Sequence, residues 1–585
     1  MRVRADWLAV LTSAFFALAP IAAHAQEPAD EPLDQVQEPA AEPAEEPAAE
    51  PAPEPMPEVP AQPPAAAANP QAPAPLLHGT LELSLQDAIR MGLENNLDVQ
   101  VERYAPMIAD LDVSVAEGAY EPELFAEGFY KDTRTPSAST LSGVDPSITY
   151  STEGRGGLRG ILPLAGTEYS AQFSGSRRIF NSPFQTLSPE YDSGWSINLT
   201  QPLLRNLIWN EPWTRVRSTR LLLGSSEDGF RRAVMDEVQR IEDAYWELIA
   251  AEEALRVADK SLETAAALRE QVKTQFEVGV VSKVEVTEAE AGVSQREVER
   301  IRAENQYRNQ QDVLIDLVLG PNLRASSTLE IRPTDRPDEF TPYEVDVEGA
   351  VGRAFEHRPE LAQAAKDVER SEVQLAFTRN QRLPSLDGVF SFGQSGLSGN
   401  RGRHFCNPTE AASSILGCSS ATLTSPNLHQ GPFDNSYSDY NRSPQSVAGA
   451  RLTIPIPNRG ASANASKSEL ELARARTSVH RLEQQIIIDV RKAARDLEAS
   501  QEGIVAARSA RAAAAEQLRA EQIRLEYGES TPFDVLQREE ALVGRERDEI
   551  GAFRAYRTSV TALDRAQGTI LRNRNIDIAD VAPLR

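Results

Sequence analysis

The sequence FEVGVVSKVEV at residues 276–286 recurs 249 positions later as LEYGESTPFDVL at residues 525–536. Each copy closes a stretch of 67 residues without an internal proline, 212–278 in the first case and 461–527 in the second. A continuous helix of that length would extend about 100 Å, because an α-helix rises about 1.5 Å per residue. A glycine in each copy suits a chain reversal. The pattern therefore predicts two long helical hairpins, each turning at a glycine.

The two long stretches carry apolar stripes of the coiled-coil kind. In the first stretch the apolar residues alternate steps of four and three, and in the second they fall at multiples of seven. These residues are Val234, Val238, Ile241, Tyr245 and Leu248, and then Val490, Leu497, Ile504, Leu518 and Leu525. Shorter helices are predicted at 83–118 and 282–319, and two of them stacked end to end would match one long helix. We therefore expect a rod of paired helices, with strands at one end and the turns at the other.

Further landmarks repeat in the same order along the chain. Residues 94–98 align with 356–360, Pro122 with Pro384, Leu124 with Leu386, residues 200–203 with 453–456, and residues 277–279 with 526–528. Two copies are too few for a solenoid. The sequence therefore predicts a duplicated domain, with a first repeat at 79–330 and a second at 331–585.

Segments between the helices alternate as strands do. Trp195, Ile197 and Leu199 share one face, opposite Ser196, Asn198 and Thr200, and the segment 448–454 alternates similarly. Such strands fit either a membrane barrel, with lipid outside and water inside, or an ordinary half-buried sheet. Residues 156–162 and 169–177 flank a turn and predict an extra hairpin. Residues 393–445 predict an extracellular loop, in which Cys406 and Cys418 could pair in an oxidising compartment.

The N-terminus predicts a secretory signal peptide at 1–25. Arg2 and Arg4 precede the apolar run 7–21, and Ala23-His24-Ala25 gives a small-x-small cleavage pattern. A membrane anchor is the alternative, although the run is short for a bilayer span. Residues 26–78 are mostly Pro, Ala and Glu, which predicts a disordered linker. The rest of the chain has no long apolar run, so it would cross a membrane with strands.

Composition and motifs argue against several classes of protein. Asp and Glu number 87 against 60 Lys and Arg, for a formal net charge of -27, which disfavours a nucleic-acid partner. Two cysteines and six scattered histidines supply no metal site, and neither HExxH nor a P-loop occurs. Residues 154–157 are glycine-rich, but no helix is predicted after them. We therefore predict no enzyme activity, no catalytic or metal-binding residue and no cofactor.

The ordered set of motifs resembles the TolC-like outer-membrane efflux proteins. The resemblance covers about 79–570 and rests on LSLQDAIRMGLENNLDV at 83–99, LTQPLL at 199–204 and the two turn segments. It implies an α+β, mainly α fold, in which three chains build a 12-stranded β-barrel in the outer membrane and a periplasmic tunnel of 12 helical columns. It also implies a periplasmic adaptor and an inner-membrane pump as partners. Four strands from one chain cannot close a barrel, which supports a homotrimer.

The resemblance places the functional residues at the two helical turns, which form the periplasmic mouth. Asp534 matches the gating Asp of the family, whereas Gln537 replaces the acid expected one helical turn later. Glu285 occupies the matching place in the first turn. Gly279 and Gly528 would supply positive φ angles, and Glu529 belongs to a second turn that departs from the usual adaptor-docking sequence. Both acids also fit a purely structural role as helix-start residues favoured by the helix dipole.

Two hypotheses about function follow from the sequence. The first is an outer-membrane channel of a tripartite efflux or type I secretion system, which passes substrates from the periplasm to the exterior. The second is a periplasmic coiled-coil structural or stalk protein. The amphipathic strands and the duplicated order of helix, strand and helix favour the channel.

Overall fold

The computed structural model describes residues 78–136, 144–163, 165–182, 185, 187–320, 328–336, 342–401 and 431–578. The predicted signal peptide, nearly all of the predicted linker and both cysteines lie outside these residues. The helices are α1 (Leu85–Asn95), α2 (Leu97–Glu117), α3 (Glu211–Glu277), α4 (Lys283–Leu319), α5 (Val347–His357), α6 (Pro359–Asn380), α7 (Arg459–Glu526), α8 (Pro532–Gln567) and α9 (Ile570–Asn573). The strands are β1 (His78–Leu83), β2 (Glu123–Thr135), β3 (Ser147–Ile161), β4 (Glu168–Phe180), β5 (Leu187–Pro202), β6 (Thr328–Pro333), β7 (Ser385–Arg401) and β8 (Pro444–Thr453). The predicted α+β, mainly α class is confirmed.

The two long helices match their prediction closely. Helix α3 has 67 residues and α7 has 68, so each reaches about 100 Å. The stripe of α3 is buried along its whole length, from Val234 to Leu248. In α7, Val490, Leu497 and Ile504 are buried, while Leu518 and Leu525 are partly buried near the turn. The coiled-coil spacing therefore identified the core-facing side of both helices.

The single opening helix predicted at 83–118 is wrong, because the chain breaks at Asn96 into α1 and α2. The side chain of Asn96 accepts hydrogen bonds from the backbone N–H of Asp98 at 2.7 Å and of Val99 at 3.4 Å, which starts a new helix. Its amide donates to the buried carboxylate of Glu237 at 2.6 Å. In the second repeat, Pro359 begins α6 at the corresponding break.

The short helices stack end to end beside the long ones, as predicted. Helix α4 is capped by Gly320, and the Asn95 amide donates to the Val318 carbonyl at 3.3 Å, so α2, which begins two residues after Asn95, continues the column of α4. Helix α8 is capped by Gly568, which lies against the backbone of His357, so α6 continues the column of α8. The first column packs along α3 and the second along α7.

The six longer strands form one antiparallel sheet in the order β2-β3-β4-β5-β7-β8. Four strands per chain were predicted, and the described part of the chain contributes six to this sheet. The extra hairpin predicted at 156–177 belongs to β3 and β4, which pair in continuous register. The predicted loop is also too long, because β7 continues to Arg401 and a 3-10 helix (Phe433–Arg442) precedes β8. That 3-10 helix lies over the sheet, where Ser436 Oγ is 2.5 Å from Ser193 Oγ.

Two features that the sequence did not predict hold the repeats together near the middle of the helices. Strand β1 pairs in parallel with β6, which joins the start of the first repeat to the segment between the repeats. Glu242 of α3 is fully buried and accepts hydrogen bonds from Arg574 at 2.5 and 2.8 Å and from Thr561 at 2.5 Å. A buried charge needs such partners. None of the described helices is long and apolar enough to cross a membrane.

Candidate functional site: the helical turns

The two turns at the far ends of α3 and α7 have the same construction. Gly279 and Gly528 adopt φ angles of 81° and 74°, which favour glycine because an L side chain there is strained. The N–H of Gly279 donates to the Phe276 carbonyl at 2.9 Å, and the N–H of Gly528 donates to the Leu525 carbonyl at 3.0 Å. Both turns thus end a long helix in the way that the repeated sequence predicts.

Asp534 caps the start of α8 together with Thr531. The N–H of Asp534 donates to Thr531 Oγ1 at 3.3 Å, while the Thr531 hydroxyl and N–H donate to Asp534 Oδ2 at 2.7 and 3.3 Å. This reciprocal pair is a capping box. The hydrogen bonds from the side chain and the backbone of Thr531 lower the pKa of Asp534 below its ordinary value. Asp534 is therefore held as a fixed, ionised carboxylate at the turn.

Glu285 has the equivalent place at the start of α4, with a weaker attachment. The Ser282 hydroxyl donates to Glu285 Oε1 at 3.3 Å, but the Ser282 side chain accepts no hydrogen bond from the helix backbone. Gln537 and Glu529 are both exposed. The Glu529 carbonyl accepts a hydrogen bond from Arg524 at 3.4 Å. The second turn therefore presents Asp534 as its ordered acid, with the uncharged Gln537 one helical turn away.

A buried acid behind the second turn was missed by sequence reasoning. Glu521 of α7 is buried and accepts hydrogen bonds from the Ser530 hydroxyl at 2.5 Å and from Arg524 at 3.2 Å. Arg538 of α8 lies 3.8 Å from its other oxygen. These contacts connect the two helices across the turn. Nothing in the sequence distinguishes this glutamate from the many solvated acids on α7.

The two turns of one chain pack against each other through apolar side chains. Val535 of α8 is buried in a cluster with Leu268, Val272 and Ala289 of the other hairpin, and Val281 and Val286 pack against it. Farther from the turns, Arg547 bonds to Glu299 at 3.2 Å and Arg554 bonds to Glu247 at 2.5 Å. The hairpins α3/α4 and α7/α8 therefore form one packed block at this end.

Known proteins share this architecture. A model of the outer membrane efflux protein family matches residues 166–318 and 350–569, which together make up more than half of the chain. The chain belongs to the outer membrane efflux protein family. Membership confirms the TolC-like resemblance, identifies an outer-membrane efflux channel and agrees with the prediction that the chain is not an enzyme.

Solved structures of channels share the fold at low sequence identity. The CmeC outer membrane channel of Campylobacter jejuni is 14% identical, covering 85% of this chain and 90% of its own, with a TM-score of 0.57. The outer membrane protein VceC of Vibrio cholerae is 15% identical, covering 83% of this chain and 96% of its own, with a TM-score of 0.57. The MtrE outer membrane channel of Neisseria gonorrhoeae is 17% identical, covering 83% of this chain and 89% of its own, with a TM-score of 0.54. No curated protein sequence gives a significant match.

In this member of the family the turns also expose large apolar side chains. We call Val278, Val280, Val284, Tyr527 and Phe533 the tip patch; each is more than half exposed, and Tyr527 reaches 80%. Exposed apolar side chains grouped at one place indicate a contact surface. The tip patch surrounds the same turns that carry Asp534 and Glu285.

Proposed function

We propose that this efflux channel is the outer-membrane component of a tripartite efflux or type I secretion system and works as a homotrimer. The observation that carries the proposal is the separation of two different ends. The sheet connects to one end of α3 and α7, and the tip patch lies at the other end, about 100 Å away. A duct that joins an outer membrane to a partner in the periplasm needs both ends.

The sheet end is suited to lipid on one face. Large apolar side chains on that face are exposed, namely Leu124, Tyr130, Phe173, Ile197, Phe390 and Leu452. The opposite face carries cross-strand ion pairs, including Arg155 with Glu127 and Arg159 with Glu123. Lipid outside and water inside is the arrangement of membrane barrels. The alternation therefore favours the barrel over a half-buried sheet.

The number of strands supports an oligomer. A closed barrel needs about eight strands, and the described residues of one chain supply six to the sheet. Other copies of the chain must complete the ring. We expect a trimer by mass measurement in mild detergent, and a stable monomer with a closed barrel would contradict this proposal.

The tip patch is suited to a periplasmic adaptor, which would connect the channel to an inner-membrane pump. The test places a photo-crosslinking amino acid at Val280 or Tyr527 in intact cells, with Val505 of α7 as the control. Val505 is 58% exposed, which lies within the range of exposures of the tip patch, but it is far from the turns. We expect products with an inner-membrane-anchored protein from the two tip positions alone.

The same cells distinguish the channel from the periplasmic stalk. A channel should remain in the outer-membrane fraction until detergent is added, whereas a stalk protein should be released with the periplasm. Equal crosslinking from Val505 and Val280 would argue that the partner binds along the shaft. Recovery of the protein in the soluble periplasmic fraction would overturn the proposed function.

A further inference from the structure

Among the residues that the structure describes, no strand pairs with the outer edges of the six-stranded sheet, which are β2 and β8. Every residue of β8 is exposed, and so is every residue of β2 except Phe125. Open edges present unpaired N–H and C=O groups, which cannot stay unpaired in lipid. Each edge must therefore pair with another strand once the sheet is in the membrane.

The direction of the strands allows one edge to pair with the other edge of a second copy. All five pairings in the sheet are antiparallel, so β2, the first strand, runs away from the helices and β8, the sixth, runs back toward them. Two copies placed side by side would therefore bring β8 of one antiparallel to β2 of the next. An even number of strands makes this pairing repeat without a parallel seam.

The registers within the sheet determine how far the hydrogen-bonded rows climb. The row that starts at Glu123, the first residue of β2, passes in turn through Arg159, Ser170, Asn198, Ser391 and Val447. Val447 lies six residues above Thr453, the residue at which β8 reaches the helical end. The row thus rises by six residues across the six strands of the sheet.

This climb corresponds to the tilt of a closed barrel. A shift of one residue for each strand means that the row rises about 3.3 Å for each strand spacing of about 4.8 Å, which corresponds to a strand tilt of about 35°. The strands of closed barrels tilt by about 35–45°. The row rises by an even number of residues, so side chains that are paired across the seam lie on the same face of the sheet. With the helical ends of the strands level, Thr453 faces Glu123 and Leu452 faces Leu124, two apolar residues that are both exposed in one chain.

We propose that β8 of one copy pairs with β2 of the next in this register, so that three copies close an 18-stranded barrel. The number three rests on the proposed homotrimer, whereas the seam and its register rest on the sheet alone. The barrel diameter would be about 34 Å between backbones, against about 22 Å for the 12 strands that the family resemblance implies. The added hairpin of β3 and β4 is the reason for the difference.

The test is disulfide trapping in the full chain with Cys406 and Cys418 replaced by Ser. Leu124→Cys with Leu452→Cys places two thiols opposite each other at the seam, within disulfide reach. Leu124→Cys with Ala448→Cys is the control, since it keeps the face but shifts one thiol by four residues, or about 13 Å. We expect disulfide-linked trimers on non-reducing gels from the first pair and single chains from the control.

The other outcomes separate a failure of the register or of the seam from a failure of the proposed function. Trapping in the control pair and not in the seam pair would overturn the register. An intrachain disulfide would overturn the seam between copies. Because a cysteine variant can fail to assemble, strands are also counted in a density map of the unmodified particle. A count of 18 strands would support the inference. A trimer with 12 strands would overturn the inference but not the proposed function, whereas a particle that is not trimeric would overturn the proposed function.

Discussion

Asp534 has two roles that mutation can separate, a helix cap that the structure shows and a cation-attracting gate that we propose. In a trimer, three copies of this carboxylate would surround one axis at the closed mouth. Asp534→Asn removes the charge but keeps an oxygen that Thr531 can bond. Thr531→Ala is the matched control, because it breaks the capping box at the same turn and keeps the charge. The first variant tests the gate, and the second tests the cap.

The expected magnitudes differ between the two variants. Three carboxylates about 8 Å from a divalent cation on the axis, in water and with ordinary salt screening, would tighten its binding about tenfold. Asp534→Asn should therefore raise the blocking concentration of Mg²⁺ about tenfold, whereas Thr531→Ala should leave it nearly unchanged. Thr531→Ala should instead destabilise the start of α8 by about 1 kcal/mol.

The assay is single-channel recording with Mg²⁺ on the periplasmic side, for the wild type, both variants and Glu285→Gln. The pKa of Asp534 lies below its ordinary value, so the carboxylate is ionised throughout the range from about pH 5 to 8. The block should therefore be constant over that range. Because Gln537 supplies no charge, the effect of Asp534→Asn should exceed that of Glu285→Gln. An unchanged block in Asp534→Asn would show that this residue only caps its helix and that the constriction lies elsewhere.

Three further predictions concern stability and assembly. Gly568→Ala should lower the stability to thermal unfolding more than Gly528→Ala does. Both glycines have positive φ angles, at which an alanine costs about 1–2 kcal/mol, but only at Gly568 would a Cβ lie 2.8 Å from backbone atoms. Equal losses of stability would argue against close stacking of α8 and α6. Burial raises the pKa of Glu539 to about 7, and the charge of Arg296 partly offsets this shift. Ionisation of Glu539 therefore lowers the free energy of unfolding as pH rises from about 4.5 to 7. Glu539→Gln should therefore be more stable than the wild type at pH 8, by on the order of 3 kcal/mol, and no more stable at pH 4, as followed by circular dichroism melting; a pH-independent difference would contradict this. Deletion of residues 27–75 should leave trimer assembly intact in gel filtration, and loss of the trimer would show that this segment is structural.

The channel family and its helical framework could be predicted from the sequence because they depend on local and periodic signals. The stripe from Val234 to Leu248 repeats at coiled-coil spacing over a proline-free stretch, and helix geometry converts that spacing directly into one buried face. The glycines at 279 and 528 mark the turns because few other residues accept a positive φ. Duplication supplied independent copies of each signal. These features need no knowledge of which distant segments meet.

Pairing between distant segments was decided by the tertiary structure. The break at Asn96 is held by a hydrogen bond to the buried carboxylate of Glu237, which is 141 residues away in sequence and resembles any other acid of α3. Glu521 has a role behind the second turn because Ser530 and Arg524 fold back onto it. The number of strands in the sheet depends on β3 and β4 joining β2 and β5 in register, whereas alternation identifies a strand but not its neighbours. Local periodicity therefore determined the elements of this protein, and long-range hydrogen bonds and buried charges, which leave no periodic trace in the sequence, determined how many strands meet and where the helices break.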